Sequence, residues 1–358
     1  MLILLSFLLI IPAFALVAVY LERKVSAFVQ DRTGPNRTGP FGLLQTFADI
    51  LKLVQKENIT PKSADRIIFA LAPILVFAAI LTGFSMLPLT EDFVAAPVST
   101  GLLLIMAIIS LDVIGIILAG WGSNNKYSLL GAMRSVAQII SYEVPLGISI
   151  LGVIMISGSL DLIEISQQQG LTSDVNSPLF GIITSIDANK IGGIFSWNIF
   201  RMPVLMIAFV LFFIASLAEC NRAPFDIPEG ESEIIGGFHT EYGGFRFALL
   251  FLSEYGLMLL VSILGVILFL GSWHSPLPNI YGLKLADWTN GDLLTPSGNI
   301  LAVFWLIIKT AFLIFLQMLI RWTYPRMRID QLMNLSWKYL TPIGLLVVFI
   351  VGIWRVLI

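Results

Sequence analysis

The stretch Glu219-Cys220-Asn221-Arg222-Ala223-Pro224-Phe225-Asp226-Ile227-Pro228-Glu229-Gly230-Glu231-Ser232-Glu233, continuing to His239-Thr240-Glu241-Tyr242, separates two long apolar runs at 202–218 and 247–271. Its carboxylates outnumber its one arginine and are Glu219, Asp226, Glu229, Glu231, Glu233 and Glu241. Pro224 and Pro228 each lack a backbone donor, so no regular helix is expected here. An irregular acidic loop between membrane spans indicates a site for cations or protons, whereas a plain solvated hairpin is the alternative.

The composition excludes a soluble globular protein. The 358 residues are 57% hydrophobic and 12% charged, with a mean hydropathy of +0.90. The net charge of −2 gives no indication of nucleic-acid binding. Cys220 is the only cysteine, and two histidines are too few for haem or di-metal ligation. We therefore predict no metal site, and any redox cofactor is expected on a partner protein.

The hydropathy pattern predicts one all-α, polytopic membrane domain covering residues 1–358. Spans of about 20 apolar residues cross a bilayer. The apolar N-terminus is followed by Glu22-Arg23-Lys24, not by a small-residue cleavage site, which favours a retained first span over a signal peptide. About eight spans are predicted, at 2–21, 67–89, 101–121, 134–157, 202–219, 247–271, 300–320 and 338–357.

The distribution of lysine and arginine predicts the orientation. Sixteen of these residues fall in the segment after the first span and in the other connections on the same side, four fall on the opposite side, and Lys309 lies within a span. Since positive residues favour the cytoplasmic side, both termini are expected on the periplasmic side. The opposite-side connection 158–201 has room for a short hairpin.

The first connection on the cytoplasmic side is not a plain loop. Two Gly-Pro turns within 31–40 are followed by 41–56, where apolar residues recur at helical spacing over a segment too short to span. This pattern predicts an amphipathic helix in the membrane interface. A second, shorter one is expected around 327–335, after the seventh span.

Ionisable residues inside spans are costly and therefore candidates for function. Asp112, Glu143 and Glu254 lie in three different spans at similar depth, roughly 12–14 Å from the inner face at 1.5 Å per residue. We interpret them as a proton relay, with Glu219 at the inside end of the fifth span; pairing for packing alone is the alternative. Lys309 is either a counter-charge to these acids or a residue that snorkels.

Several motifs resemble those of one known family over nearly the whole chain. Besides Glu219 to Tyr242, they are Leu21-Glu22-Arg23-Lys24, Gln30-Asp31-Arg32-Thr33-Gly34-Pro35-Asn36, Ser141-Tyr142-Glu143-Val144-Pro145 and Phe251-Leu252-Ser253-Glu254-Tyr255. Together they resemble the quinone-site membrane subunit (subunit 1, designated H in the bacterial enzyme) of respiratory complex I, the proton-pumping NADH:quinone oxidoreductase.

The resemblance implies a bundle of eight spans with a long tilted first helix, in a bacterial or mitochondrial inner membrane. It implies quinone as substrate, with FMN and iron–sulfur clusters only on partner subunits. The partners would be peripheral-arm subunits, which carry the terminal cluster and the quinone-head site, and antiporter-like membrane subunits, besides membrane lipid. Glu143, Glu219 and Glu254 match the family's buried acids, and Asp112 stands where some relatives have glutamate.

The resemblance also turns a charged cluster into a candidate quinone chamber. By composition alone, the charges near the first span are explained equally well by positive-inside anchoring. A quinone needs an apolar tunnel with polar groups around its head. The implied chamber and acidic-loop residues are Glu22, Arg23, Arg32, Arg37, Asp226, Glu229, Glu231 and Glu233.

Two other functions remain open at this point. The homologous membrane subunit of an energy-converting hydrogenase shares the fold but need not bind quinone. A stand-alone proton or cation transporter would also explain buried acids, although such carriers often have paired repeats with broken helices, and no repeat is evident here.

Overall fold

A computed structural model gives the fold and describes residues 2–171, 178–180, 183–227, 236–279, 284–290 and 296–357. Glu229, Glu231 and Glu233 of the acidic loop lie outside the described residues. The helices and strands are α1 Leu2–Val29, α2 Gln45–Gln55, α3 Arg66–Met86, α4 Gly101–Gly122, α5 Lys126–Ser157, α6 Leu162–Gln167, β1 Pro178–Leu179, β2 Ile183–Asp187, α7 Ala188–Ile191, α8 Asn198–Arg201, α9 Pro203–Glu219, α10 Gly244–Phe269, α11 Leu285–Asn290, α12 Pro296–Thr323, α13 Ile329–Asn334 and α14 Thr341–Leu357.

Within this part of the chain, seven helical segments are long and apolar enough to cross a membrane. They are α1, α3, α4, α5, α10, α12 and the continuous unit of α13 and α14, while α9 is a shorter apolar helix of 17 residues. The predicted polytopic helical membrane fold is confirmed. β1 and β2 pair antiparallel and form a short hairpin in the connection where the sequence left room for one.

Helix α10 lies at the centre of the bundle. Every residue from Tyr255 to Phe269 is buried, and the helix packs against α1, α3, α9 and α12. The ring of Phe269 lies 5.5 Å from the rings of both Phe209 and Phe212 on α9. Because this part of α10 is almost entirely apolar, burial among other helices is its favoured environment.

Capping residues set where two of the spans begin. Asp65 accepts hydrogen bonds from the backbone N–H groups of Ile67 and Ile68 at the start of α3. Asn125 accepts one from Tyr127 at 3.0 Å, so α5 begins at Lys126 and not near 134 as hydropathy predicts. Such caps satisfy otherwise unpaired N–H groups of the first turn.

Of the two predicted interfacial helices, only the first forms as a separate helix. A 3₁₀ turn at Pro40–Gly42 leads into α2, which packs against α1 and α10 and exposes Phe47, Leu51 and Val54. The second predicted interfacial helix is not separate, because α13 continues through a π-helical turn, Leu335–Leu340, into α14. Leu332 of α13 is fully buried, since its segment packs on α5.

Candidate functional site

Three of the four predicted relay acids surround one small cavity. Asp112 of α4, Glu219 at the end of α9 and Glu254 of α10 all line a space of about 10 Å³. This volume holds about one water molecule. Its remaining walls come from Val76, Ile116, Cys220, Asn221, Phe238, Leu250, Ser253 and Leu257. We call this space the acidic cavity.

Two oxygens of the acidic cavity lack a hydrogen-bond donor among the described residues. They are Asp112 Oδ1 and Glu219 Oε2, on side chains that are 6% and 2% exposed. A buried carboxyl oxygen without a donor is costly unless it carries a proton or binds water. The arrangement therefore suits groups that exchange protons, with room for a single bridging water.

Glu143 and Glu254 make specific contacts beside the acidic cavity. Glu143 accepts a hydrogen bond from Ser110, which precedes Asp112 by two positions on α4. Glu254 Oε1 lies 3.1 Å from His239 Nε2. The structure thus brings Asp112, Glu219 and Glu254 together, whereas Glu143 does not line the cavity and reaches the same helix through Ser110.

A larger, mostly apolar cavity of about 420 Å³ lies between α1, α2 and α10. Arg23 lines it and forms an ion pair of 2.7 Å with Asp49, another lining residue. The other walls come from Pro12, Ala15, Leu16, Val19, Thr46, Ile50, Lys52, Leu53, Val54, Phe245, Phe247, Ala248, Leu249, Phe251 and Leu252. We call it the apolar cavity; its size and lining are typical of sites for apolar ligands with few polar groups.

Glu22 belongs to a buried ion cluster that joins four parts of the chain. Arg222 of the acidic loop donates to its carboxylate, with Nη1 3.2 Å from Oε2, and Tyr255 of α10 donates to Oε2 at 2.6 Å. Arg321 of α12 donates to Oε1. The Arg222 guanidinium also lies 4.1 Å from the centre of the Tyr255 ring, a cation–π distance. This cluster holds the acidic loop against the bundle.

Other predicted chamber residues lie away from both cavities. Arg32 and Arg37 are exposed, and Arg32 donates to the side chains of Gln30 and Ser26. Asp226 is half-buried. None of the three lines the acidic or the apolar cavity.

The predicted counter-charge role of Lys309 is wrong. Its ammonium group donates to four backbone carbonyls, those of Leu270, Gly271, Ser272 and His274, at 2.6–3.3 Å. It also lies 4.4 Å from the Trp197 ring centre. Because these carbonyls follow α10, the lysine satisfies the negative C-terminal end of that helix and not a carboxylate.

Sequence reasoning assigns no chemistry to His239, Tyr255 or Arg321. Each of the three contacts a candidate acid that lies 15 or more positions away in sequence, so neither periodicity nor spacing indicates the pairing. His239 is nonetheless detectable as a candidate, because it is one of only two histidines and lies in the acidic stretch. Within the described part of the chain, no group of three or more His, Cys, Asp or Glu side chains is placed to hold a metal ion.

Comparison with known proteins assigns the family. The family model described as NADH dehydrogenase matches residues 1–352. The NADH-quinone oxidoreductase subunit designated H 2 in Cytophaga hutchinsonii is 56% identical over 97% of this chain and 96% of its own length. The subunit designated H in Chlorobaculum parvum is 48% identical, covering 94% and 86%, and its counterpart in Neisseria meningitidis is 42% identical, covering 97% and 88%. The chain therefore belongs to the NADH dehydrogenase family, that of the NADH-quinone oxidoreductase subunits designated H, which are membrane subunits of complex I.

Proposed function

We propose that the apolar cavity is this chain's part of a quinone chamber, and that Asp112, Glu143, Glu219 and Glu254 couple quinone reduction to proton translocation. One observation carries the proposal: successive residues of α10 line the two cavities. Phe251 and Leu252 line the apolar cavity, and Ser253 and Glu254 line the acidic cavity. A change in charge or packing in one cavity therefore acts on the same helix segment as the other.

The lining of the two cavities fits quinone binding in the apolar cavity and proton transfer in the acidic cavity. Quinone is the substrate, and its reduction takes up protons together with electrons. The apolar walls bind the quinone tail, and Arg23 with Asp49 supplies charge at the wall beside α2. The acids accept and release protons in a largely buried space, where interactions between charges are strong.

The remaining chamber residues and the partners belong to the same proposal. The buried cluster at Glu22 anchors Arg222 at the start of the acidic loop, and Asp226, Glu229, Glu231 and Glu233 of that loop would act near the quinone head. Exposed Arg32 and Arg37 offer charge to a docking peripheral-arm subunit. That arm would carry FMN and the iron–sulfur clusters, the last of which reduces quinone, and antiporter-like membrane subunits would complete the pump.

The excess of lysine and arginine on one side supports an orientation within this proposal. The chain forms a single membrane domain in the bacterial inner membrane, with both termini on the periplasmic side. The acidic loop and α2 then lie on the cytoplasmic side.

Filling the apolar cavity tests its assignment as a quinone site. Ala248 lines this cavity, and Ala248→Trp should raise the KM for a long-tailed quinone about tenfold or more, because the tail loses contacts worth about 1–3 kcal/mol. NADH oxidation by a water-soluble acceptor that bypasses the membrane should not change. The control is Ala78→Trp, in an apolar groove between α3 and α4. An unchanged KM in assembled Ala248→Trp complex would refute the assignment.

A further inference from the structure

The ring of His239 contacts one lining residue of each cavity. His239 ends the 3₁₀ turn Gly237–His239 and is 8% exposed. Its ring centre lies 3.9 Å from that of Phe238, which lines the acidic cavity, and 5.6 Å from that of Phe247, which lines the apolar cavity. Its Nε2 atom points to Glu254 Oε1 at 3.1 Å. One titratable ring therefore lies between a wall residue of the candidate quinone chamber and a wall residue of the candidate relay.

Histidine differs from the acids around it in what it does near neutral pH. An unperturbed histidine changes its charge between pH 5 and 8, and either ring nitrogen can hold the proton. At 3.1 Å from a carboxylate oxygen, Nε2 is within the distance required for direct proton transfer. The acidic cavity has space for only about one water molecule, so a side-chain carrier suits this position better than a water chain.

We infer that His239 is the proton-transfer residue that joins the apolar cavity to the acidic cavity through Glu254. The inference rests on the proposed function and deepens it by naming the entry to the relay. In the step, protonated His239 breaks its Nε2–H bond, and Glu254 Oε1 gains that proton. The products are a neutral imidazole that keeps its Nδ1–H and a neutral carboxylic acid. After the acid has passed its proton into the acidic cavity, Nε2 regains a proton from a hydronium ion on the side of the apolar cavity, which is left as water.

The fold holds His239 in place from two sides. The 3₁₀ turn packs against α5 and α4. At Gly131 of α5, a side-chain Cβ would lie only 2.6 Å from Gly237 Cα, so the close approach requires glycine. Ser128 of α5 also donates to the carbonyl of Phe238 at 3.4 Å. The ring is thus presented to Glu254 by a tightly packed turn.

Other titratable groups near this turn must be considered in any pH profile. Glu254 lies within hydrogen-bond distance of the ring, and Asp112 and Glu219 share the acidic cavity with Glu254. The remaining charged or titratable groups on the elements packed around the turn, or next to it in sequence, are Lys126, Tyr127, Arg134, Tyr142 and Glu143 of α5, Glu241 and Tyr242, and Arg246 and Tyr255 of α10.

The test compares the two histidines of the chain in the whole complex. His239→Gln keeps a hydrogen-bond donor but cannot titrate near neutral pH, and His274→Gln is the matched control at a site remote from both cavities. The inference predicts that His239→Gln lowers coupled proton translocation about tenfold or more and alters its pH profile. His274→Gln should keep wild-type translocation at neutral pH.

The outcomes separate this inference from the proposed function. If His239→Gln keeps wild-type translocation and pH profile while Ala248→Trp still raises the KM for quinone, the inference fails and the chamber assignment stands. If neither variant has an effect, both fail. Should His239→Gln not assemble, His239→Asn is the second variant; wild-type proton translocation in assembled His239→Asn complex overturns the inference.

Discussion

At the scale of single residues, Glu22 shows how a charge within an apolar helix is stabilised. Its carboxylate is 5% exposed and receives donors from Arg222, Tyr255 and Arg321. These partners lie 200, 233 and 299 positions away in sequence. The local sequence indicates charged residues near the first span, but it does not show which distant residues they pair with. It therefore does not distinguish buried Glu22 from the exposed arginines nearby.

Neutralising Glu22 should destabilise the assembled protein strongly. Glu22→Gln leaves two arginines without their anion, and breaking a buried ion pair costs about 3–5 kcal/mol. The neighbouring Arg23→Gln is the control, since its pair with Asp49 is 43% exposed on the arginine side and worth about 0–1 kcal/mol. Thermal unfolding of the detergent-solubilised complex measures both. Equal unfolding temperatures for the two variants would contradict the ion-cluster account.

His274 should make stability depend on pH. Burial, with a contribution from the Lys309 charge, lowers its pKa from 6.5 to about 4, and Nε2 donates to the Ser166 carbonyl at 3.1 Å. Because the folded protein keeps this histidine neutral, its stabilisation is present above pH 6.5 and is lost as the pH falls from 6.5 toward 4. At 1.36 kcal/mol per unit, about 2 kcal/mol is lost between pH 7 and 5.

The measurement is the difference in unfolding temperature between wild type and His274→Gln. Glutamine keeps a donor but has no such titration, so the wild-type advantage should shrink when the pH is lowered from 7 to 5. A difference that stays constant over this range would show that His274 is not the group responsible.

At the scale of elements, the contact between α5 and the 3₁₀ turn positions His239. Gly131→Ala places a methyl group against Gly237 Cα at 2.6 Å, and backbone cannot move aside as a side chain can. We expect a cost of about 1–3 kcal/mol and a loss of proton translocation. Gly147→Ala on the same helix meets no atom within 4 Å and should be neutral or stabilising, since alanine favours helix over glycine by about 1 kcal/mol.

Stability and translocation of these two alanine variants can be measured in the same preparation. Gly131→Ala should lower both stability and proton translocation more than Gly147→Ala does. If Gly131→Ala pumps like wild type, the turn does not need its close approach to α5.

Element boundaries show where sequence patterns stop being sufficient. Hydropathy ends the first span near residue 21, but α1 continues to Val29 because Glu22 is neutralised by distant residues. Hydropathy also begins the fourth span near Arg134, whereas the Asn125 cap sets the start of α5. In both cases the sequence predicts that the helix ends at a charged residue. Pairing with distant residues, or an N-cap, allows the helix to extend beyond that residue. Lys309 is a similar case, since its backbone partners follow a different helix.

At the scale of the whole molecule, much of the architecture is predictable from sequence. Span length and hydrophobicity establish a helical membrane bundle, and depth along the spans correctly groups Asp112 with Glu254. The same depth criterion groups Glu143 with them. Glu143 does not line the acidic cavity and instead accepts a hydrogen bond from Ser110. The positions of the two cavities on either side of α10 depend on how helices pack, and no local pattern records that packing. The roles of the acids stay a proposal.

The central claim is that acids in one cavity move protons when quinone is reduced beside the other. The most direct test is the ratio of protons translocated to NADH oxidised in sealed vesicles containing Glu219→Gln complex, with exposed Glu164→Gln as control. We predict that Glu219→Gln lowers proton translocation about tenfold or more and reduces this ratio, because an amide cannot pass on a proton. Glu164→Gln should keep the wild-type ratio. An unchanged ratio in assembled, active Glu219→Gln complex would contradict the account.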